Sequence, residues 1–233
     1  MKIETILSPL LFNQIDLLKN KAVVIIDILR ATSTISTILN NGALCVIPVS
    51  EETEALKYKN QDYLIGGERG GETISGFNFG NSPFDYTKDI VQNKEIVLTT
   101  TNGTRCVEMS THAKTIVIGS FLNLSSVVDY IKKLNLDIVL FCAGWKNRVN
   151  LEDSLFAGAF ISKCKDAQLD DSSLLCLDLY QSNQDNLYHA MKKSNHFKRL
   201  KSKGVENDIK YCCQLDTITC VPIYHDGKIV KAY

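Results

Sequence analysis

Apolar runs and amphipathic segments take turns along the first 165 residues of the chain. Ala22–Ile28 is apolar except for Asp27, the pattern of a buried strand. From about Thr32 to Asn40 the apolar spacing becomes helical, and Asn41-Gly42 supplies the glycine that ends a helix. Leu44–Val49 is strand-like again. Ser50-Glu51-Glu52-Thr53 reads as a helix start, with Ser50 as cap and Thr53 where a full capping box carries Glu. Tyr63–Ile65 predicts a short strand, followed by a long irregular loop from Gly66 to Pro83. Glu95–Thr99, Thr115–Ile118 and Asp137–Phe141 then read as strands. Each leads into a helix: Thr104–Ser110, Leu124–Leu134 and Leu151–Cys164.

Repeated strand–helix units with short connections predict an α/β fold. The sheet should be mainly parallel or mixed, with helices on both faces and ligands at the C-terminal strand ends. The C-terminal third is more irregular. Asp171–Leu179 fits strand or helix. Asn183–Gly204 is polar and basic and predicts a helix. Its segment Lys192–Lys203 reads as a solvated helix face, with drawing in a polyanion as a secondary role. Asp208–Val221 carries Cys212-Cys213 and leads to a hairpin around Asp226-Gly227. No linker or repeat divides the chain, so residues 1–233 are expected to form one unit. Within it, two lobes of about 1–90 and 91–233 would share one cleft.

Composition narrows the function classes. A hydrophobic content of 45% is that of an ordinary globular core. Lys+Arg and Asp+Glu are equal at 26 each, which argues against nucleic acid or an anionic membrane as partner. No apolar run approaches the ~18 residues of a membrane span. The first residues, MKIETILSPLL, carry an early Glu and no long apolar stretch of a signal peptide, so a cytoplasmic location is expected. The eight cysteines form no C-x-x-C pair and read as small core hydrophobes. His112, His189, His196 and His225 lie outside the loops described next, so neither zinc nor a histidine nucleophile is expected. Several apolar helices on a neutral chain are compatible with a homo-oligomer, but nothing specifies its symmetry.

Four loops, each after an expected strand, carry candidate chemistry. Asp27–Thr34 brings an acid, Arg30 and a helix start together, with Thr32, Ser33 or Thr34 as cap. That set suits an anion held with a divalent cation; a plain cap beside an exposed Arg is the blander reading. Gly66–Phe84 carries six of the 13 glycines and presents Glu68-Arg69 between two glycine pairs. Ile74, Phe77 and Phe79 should anchor it, which argues against a flexible surface hairpin. Thr99–Thr104 sets hydroxyls, Asn102 and Gly103 at a strand-to-helix turn, either a phosphate cradle or a simple capping turn. Cys142-Ala143-Gly144 precedes Glu152-Asp153 at a helix start. There paired acids either complement the helix dipole or serve as metal ligands or a general base.

The same fourth loop spells C-x5-R from Cys142 to Arg148, the phosphate loop of cysteine-dependent phosphatases. Phe141 stands where His is usual and Val149 where Ser or Thr is usual. A cysteine hydrolase using Cys142 and a non-catalytic binder of anionic metabolites are therefore the competing classes.

Taken together in one order, DILRATSTI, GGERGG…ISGFNFGNSP, TTNGT, GSFLN, CAG…LED and the tail YCCQLD…VP resemble the ComB family, the magnesium-dependent 2-phosphosulfolactate phosphatases. The resemblance covers nearly the whole chain. It implies hydrolysis of the phosphate monoester of (2R)-2-phospho-3-sulfolactate to 3-sulfolactate and phosphate with Mg²⁺, a step of coenzyme M biosynthesis. Another small phosphorylated hydroxy acid is the alternative substrate. The partner is then a small anionic phosphorylated molecule. On this reading Asp27 is the first metal ligand, with Glu68 or Asp153 as its partner and the remaining acid as general base. Arg30 and Arg69 clamp the anion, with Arg105 and Arg148 as second choices. Thr32, Ser33, Asn81, Ser82, Thr101, Asn102, Gly103 and Thr104 donate to phosphate or to metal-bound water. The D-x-D-x-T signature of phospho-aspartyl phosphatases is absent after Asp27, which favours direct attack by water.

Overall fold

A computed structural model of the chain describes residues 1–14, 18–59 and 61–232. Eleven strands among them form one mixed sheet. They are β1 (Lys2–Ile6), β2 (Lys21–Ile26), β3 (Cys45–Val49), β4 (Tyr63–Arg69), β5 (Glu72–Thr73), β6 (Glu95–Thr99), β7 (Thr115–Gly119), β8 (Asp137–Cys142), β9 (Gln168–Leu169), β10 (Pro222–His225) and β11 (Lys228–Lys231). The helices are α1 (Ala31–Asn40), α2 (Glu52–Ala55), α3 (Lys88–Val91), α4 (Gly103–Met109), α5 (Leu124–Leu134), α6 (Leu151–Ser162), α7 (Asp171–Gln181), α8 (Leu187–Met191), α9 (Asn195–Ser202) and α10 (Glu206–Cys212).

The strand order is β5-β4-β6-β3-β11-β10-β7-β2-β8-β1-β9. It contains two parallel blocks. β4, β6 and β3 make one, and β7, β2, β8, β1 and β9 the other. The antiparallel hairpin β10–β11 joins them, β11 to β3 through Ile229 and Val46, β10 to β7 through Ile223–Val117 and Tyr224–Ile116. β2 is apolar from Ala22 to Ile26 because both of its faces are covered there. Ala22, Val24 and Ile26 enter one core with α5 and α6, while Val23 and Ile25 enter the other with α1 and α4. Burying each of these Val and Ile side chains contributes ~1.5–3 kcal/mol. The α/β architecture with helices on both faces is as expected. Among the described residues, no helix is long and apolar enough to cross a membrane.

Several elements differ from expectation. β1 arises from KIETI, a segment with no strand expected, because it slots beside β8 with Ile3 opposite Ile138. The Gly66–Pro83 loop is partly strand: β4 runs through to Arg69 and returns as β5 after Gly70-Gly71, both at positive φ. Ser50 caps nothing; its hydroxyl donates to Glu108 at 2.7 Å, and α2 starts at Glu52. The basic stretch 183–204 is broken into α8 and α9 rather than one helix.

Candidate active site

A cavity of about 430 Å³ lies where β2, β4, β6 and β8 end, with α9 closing one side. Strand ends in a parallel sheet release backbone and side chains together, so ligand groups collect there. β2 delivers Asp27 and, through a turn whose Leu29–Arg30 peptide bond is cis, Arg30. β4 delivers Glu68, and the turn after β6 delivers Thr100, Thr101 and Asn102. Asn81 also lines the cavity. Of the residues expected from sequence, Asp27, Arg30, Glu68, Asn81, Thr101 and Asn102 therefore share one space.

The electrostatics of these groups differ. Burial pushes the Asp27 carboxyl up to about 7; the nearby His196 opposes this and the Glu68 carboxylate adds to it. Burial also acts on Glu68, but the Thr101 hydroxyl, the Gly71 and Thr101 amides and Arg30 outweigh it and hold Glu68 below the usual carboxylate range. The Thr101 hydroxyl and amide donate to Glu68 Oε1 at 2.7 and 3.0 Å, and the Gly71 amide donates to Oε2 at 2.6 Å. Arg30 is buried and donates to the Asp208 carboxylate of α10. Asn81 Oδ1 is buried without a hydrogen-bond partner. Among the described residues, no group of three or more His, Cys, Asp or Glu side chains could hold a metal ion.

The other expected residues lie elsewhere. Asp153 sits behind the wall: its Oδ1 accepts from the Ile28 amide at 2.9 Å and its Oδ2 from the Gly144 amide at 3.0 Å. It ties the loops after β2 and β8 together. Burial, then Asp27 and Glu152, push its carboxyl well above the usual range. Arg69 donates to the Glu68 and Ser50 carbonyls and to the Thr99 hydroxyl, so its guanidinium is used in holding β4. The expected caps of α1 are not caps. The N-cap is Arg30, whose side chain makes no capping bond. Thr32 Oγ1 accepts from the Asp27 amide, the Ser33 hydroxyl donates to the Ile28 carbonyl, and the Thr34 hydroxyl to the Asn81 carbonyl. Ser82 caps the turn at Phe84, and the Thr104 hydroxyl donates to the Thr100 carbonyl. Gly103 packs against the site: a Cβ there would lie 2.9 Å from Ala31 Cβ and 3.0 Å from Asp27 Oδ2.

Five cavity residues, on α9 and in the C-x5-R segment, were not expected at the site. His196, Arg199 and Leu200 of α9 line the cavity, so this basic helix is not a solvated face and one histidine belongs to the site. Trp145 and Lys146, from the C-x5-R segment, also line it. Arg199 Nη1 donates to the Gly70 carbonyl at 2.7 Å, and its Cζ sits 5.1 Å above the Trp145 ring. One signal was readable: His196, Phe197 and Leu200 recur at helical spacing and are all buried. The cysteine mechanism is contradicted. Cys142 is fully buried, does not line the cavity, and burial pushes its thiol well above the usual value. Arg148 is exposed and closes a turn with Trp145 through backbone bonds.

The geometry thus joins carboxylates, cationic side chains and an orphaned amide oxygen around one anion-sized space. A family profile described as 2-phosphosulpholactate phosphatase matches residues 9–227. This chain belongs to the 2-phosphosulfolactate phosphatase family. Proteins named probable 2-phosphosulfolactate phosphatase are similar to it over most of their length. The one from Clostridium novyi (strain NT) is 40% identical, covering 99% of this chain and 100% of the relative. Those from Caldanaerobacter subterraneus subsp. tengcongensis and Thermotoga maritima are 44% and 45% identical. They cover 90% of this chain each, and 90% and 92% of the relatives. The family is one of phosphoric monoester hydrolases, and the resemblance seen in the sequence motifs holds across the whole fold.

Proposed function

We propose that this chain hydrolyses the phosphate monoester of (2R)-2-phospho-3-sulfolactate to 3-sulfolactate and phosphate, with Mg²⁺ as cofactor. One observation supports it best: a single cavity whose lining holds Asp27 and Glu68 together with Arg30, Lys146 and Arg199. A substrate bearing phosphate, carboxylate and sulfonate needs several cationic partners. A divalent cation needs oxygen donors. Asp27, Glu68 and the orphaned Asn81 Oδ1 form such a donor set on the cavity wall. It suits an ion that keeps part of its water shell, as Mg²⁺ does. When bound, the ion would neutralise phosphate charge and lower the pKa of its water.

The chain's own residues then have these tasks. Arg199 and Lys146 bind the anionic groups, and Arg30, steadied by Asp208, adds a guanidinium at the β2 end. The Gly71 amide and Thr101 keep Glu68 ionised and oriented. Stabilising charge in a preorganised, partly dry site is the main means of accelerating phosphoryl transfer.

The test is phosphate release from 2-phosphosulfolactate and from a panel of phosphorylated hydroxy acids, with Mg²⁺ and with EDTA. Release that is fastest from phosphosulfolactate and stops in EDTA is expected. Preference for another hydroxy acid replaces the substrate, and undiminished turnover in EDTA removes the metal.

A further inference from the structure

Beside the carboxylate wall lies a histidine that the cofactor and anion-binding roles leave unused. His196 is buried at 6% exposure, yet it lines the cavity. Its Nδ1 lies 2.5 Å from Glu152 Oε1. A carboxylate only accepts, so Nδ1 carries a hydrogen towards Glu152 and Nε2 is left on the opposite edge of the ring. Glu152 is fully buried and its other oxygen, Oε2, has no partner, so the carboxylate serves His196 alone. Its position on α6, otherwise apolar through Leu155–Ile161, is costly without such a use.

The ring plane is fixed as well. Trp145 stacks on His196 at 5.4 Å between centroids and 8° between planes, and Arg199 covers the same indole. Arg199 Nη2 lies 3.4 Å from His196 Nε2. That is too long for a good hydrogen bond, but it is the spacing at which one ligand oxygen can reach both nitrogens. The pair forms a fork on the cavity wall.

We propose that His196, positioned by Glu152, is the general acid of this site and protonates the oxygen of the departing alcohol. This role rests on the phosphatase reading above. Water forms a new bond to phosphorus while the bond from phosphorus to the bridging oxygen breaks. The electron pair stays on that oxygen and takes the Nε2 proton of the imidazolium form of His196, giving the neutral alcohol and leaving the neutral ring with its Nδ1–H held by Glu152. The attacking water releases one proton to solvent, and Nε2 regains one from solvent. Arg199 Nη2 holds the same oxygen or its phosphate neighbour. His196 is thus a catalytic residue and Glu152 a positioning residue.

Leaving groups distinguish this from a structural role. An alkoxide needs a proton to depart, whereas p-nitrophenolate does not. His196→Asn and His196→Gln should lose about 10²–10³-fold in kcat on 2-phosphosulfolactate, or on whichever alkyl ester the unaltered protein cleaves best. On p-nitrophenyl phosphate they should lose less than about tenfold. Glu152→Gln should show the same skew, more weakly. His196→Gly should regain alkyl-ester turnover with added imidazole. Thermal melts accompany each variant, so that misfolding is seen directly. Equal losses on both esters, or no imidazole rescue in a folded His196→Gly protein, overturn the proton-donor role while leaving the phosphatase reading intact. An unaltered protein that cleaves no phosphate ester overturns both.

Discussion

Asp208 and Arg30 are 178 positions apart and meet as a buried ion pair, which makes the pair a test of how α10 anchors the site. Consider Asp208→Ala. The side chains of Arg30 and Asp208 are 5% and 8% exposed, so the substitution strands a guanidinium with little water around it. Breaking a buried pair from one side costs about 3–5 kcal/mol. The cavity can rehydrate part of Arg30, so the lower end, about 3 kcal/mol, applies. For a chain of this size each kcal/mol moves Tm by about 2–4 °C, giving a drop of about 6–12 °C. Calorimetry or far-UV dichroism at pH 7 reads it. Arg30→Met with Asp208→Leu together should cost less than the sum of the single changes, with a coupling of about 2 kcal/mol. A drop below about 2 °C, or strict additivity, refutes the claim that this pair holds α10 to the turn after β2.

Asp27→Asn should abolish phosphate release while leaving the melt within a few degrees; near-normal rates would remove Asp27 from the chemistry. Gly103→Ala pushes a methyl against Ala31 and the Asp27 carboxylate and should lower kcat/KM by about 10²-fold, since displacements of about an ångström carry that cost. Cys142→Ala should keep turnover within about tenfold, because that thiol is sealed in the core; a thousandfold loss would restore thiolate chemistry. Lys228, donating at 2.6 Å, and then the Cys45 thiol hold the Glu95 carboxyl below its usual range. Its folded pKa lies below its unfolded one, so its stabilisation is present above the unfolded value and lost as pH falls through the folded value. Glu95→Gln should therefore be less stable than the unaltered chain at pH 7, by at most about 0.5 kcal/mol after solvent screening. The two should converge in urea titrations below about pH 3.

The strand ends were readable because the parallel strands are apolar on both faces and stop at a polar turn. Asp27 and Thr101 sit just past such stops, and Glu68 stands near the end of β4 between two glycine pairs, which is why they stood out and why they meet in the cavity. β1 escaped notice because KIETI alternates charged and apolar residues without a flanking turn signal, and only β8 gives it a place. The same holds for His196 and Arg199. Their helix is basic and polar overall, so its composition suggests solvent, and only the fold turns one of its faces inward. Arg69 shows the opposite error. Its glycine-rich surroundings suggested an open anion clamp, but β4 continues through it and its guanidinium finds backbone carbonyls instead.

The hairpin β10–β11 follows every other strand in the chain, yet it occupies the middle of the sheet. On a ribosome, both parallel blocks emerge before the hairpin that joins them. Until then Val46 of β3 and Val117 of β7 present unpaired strand edges, and β4 and β2 have no sheet in common. Exposed edges of this kind invite pairing with other chains. Because Glu68 and Asp27 belong to different blocks, the cavity is expected to assemble only after residue 231 has been made, so catalytic competence should appear late and all at once.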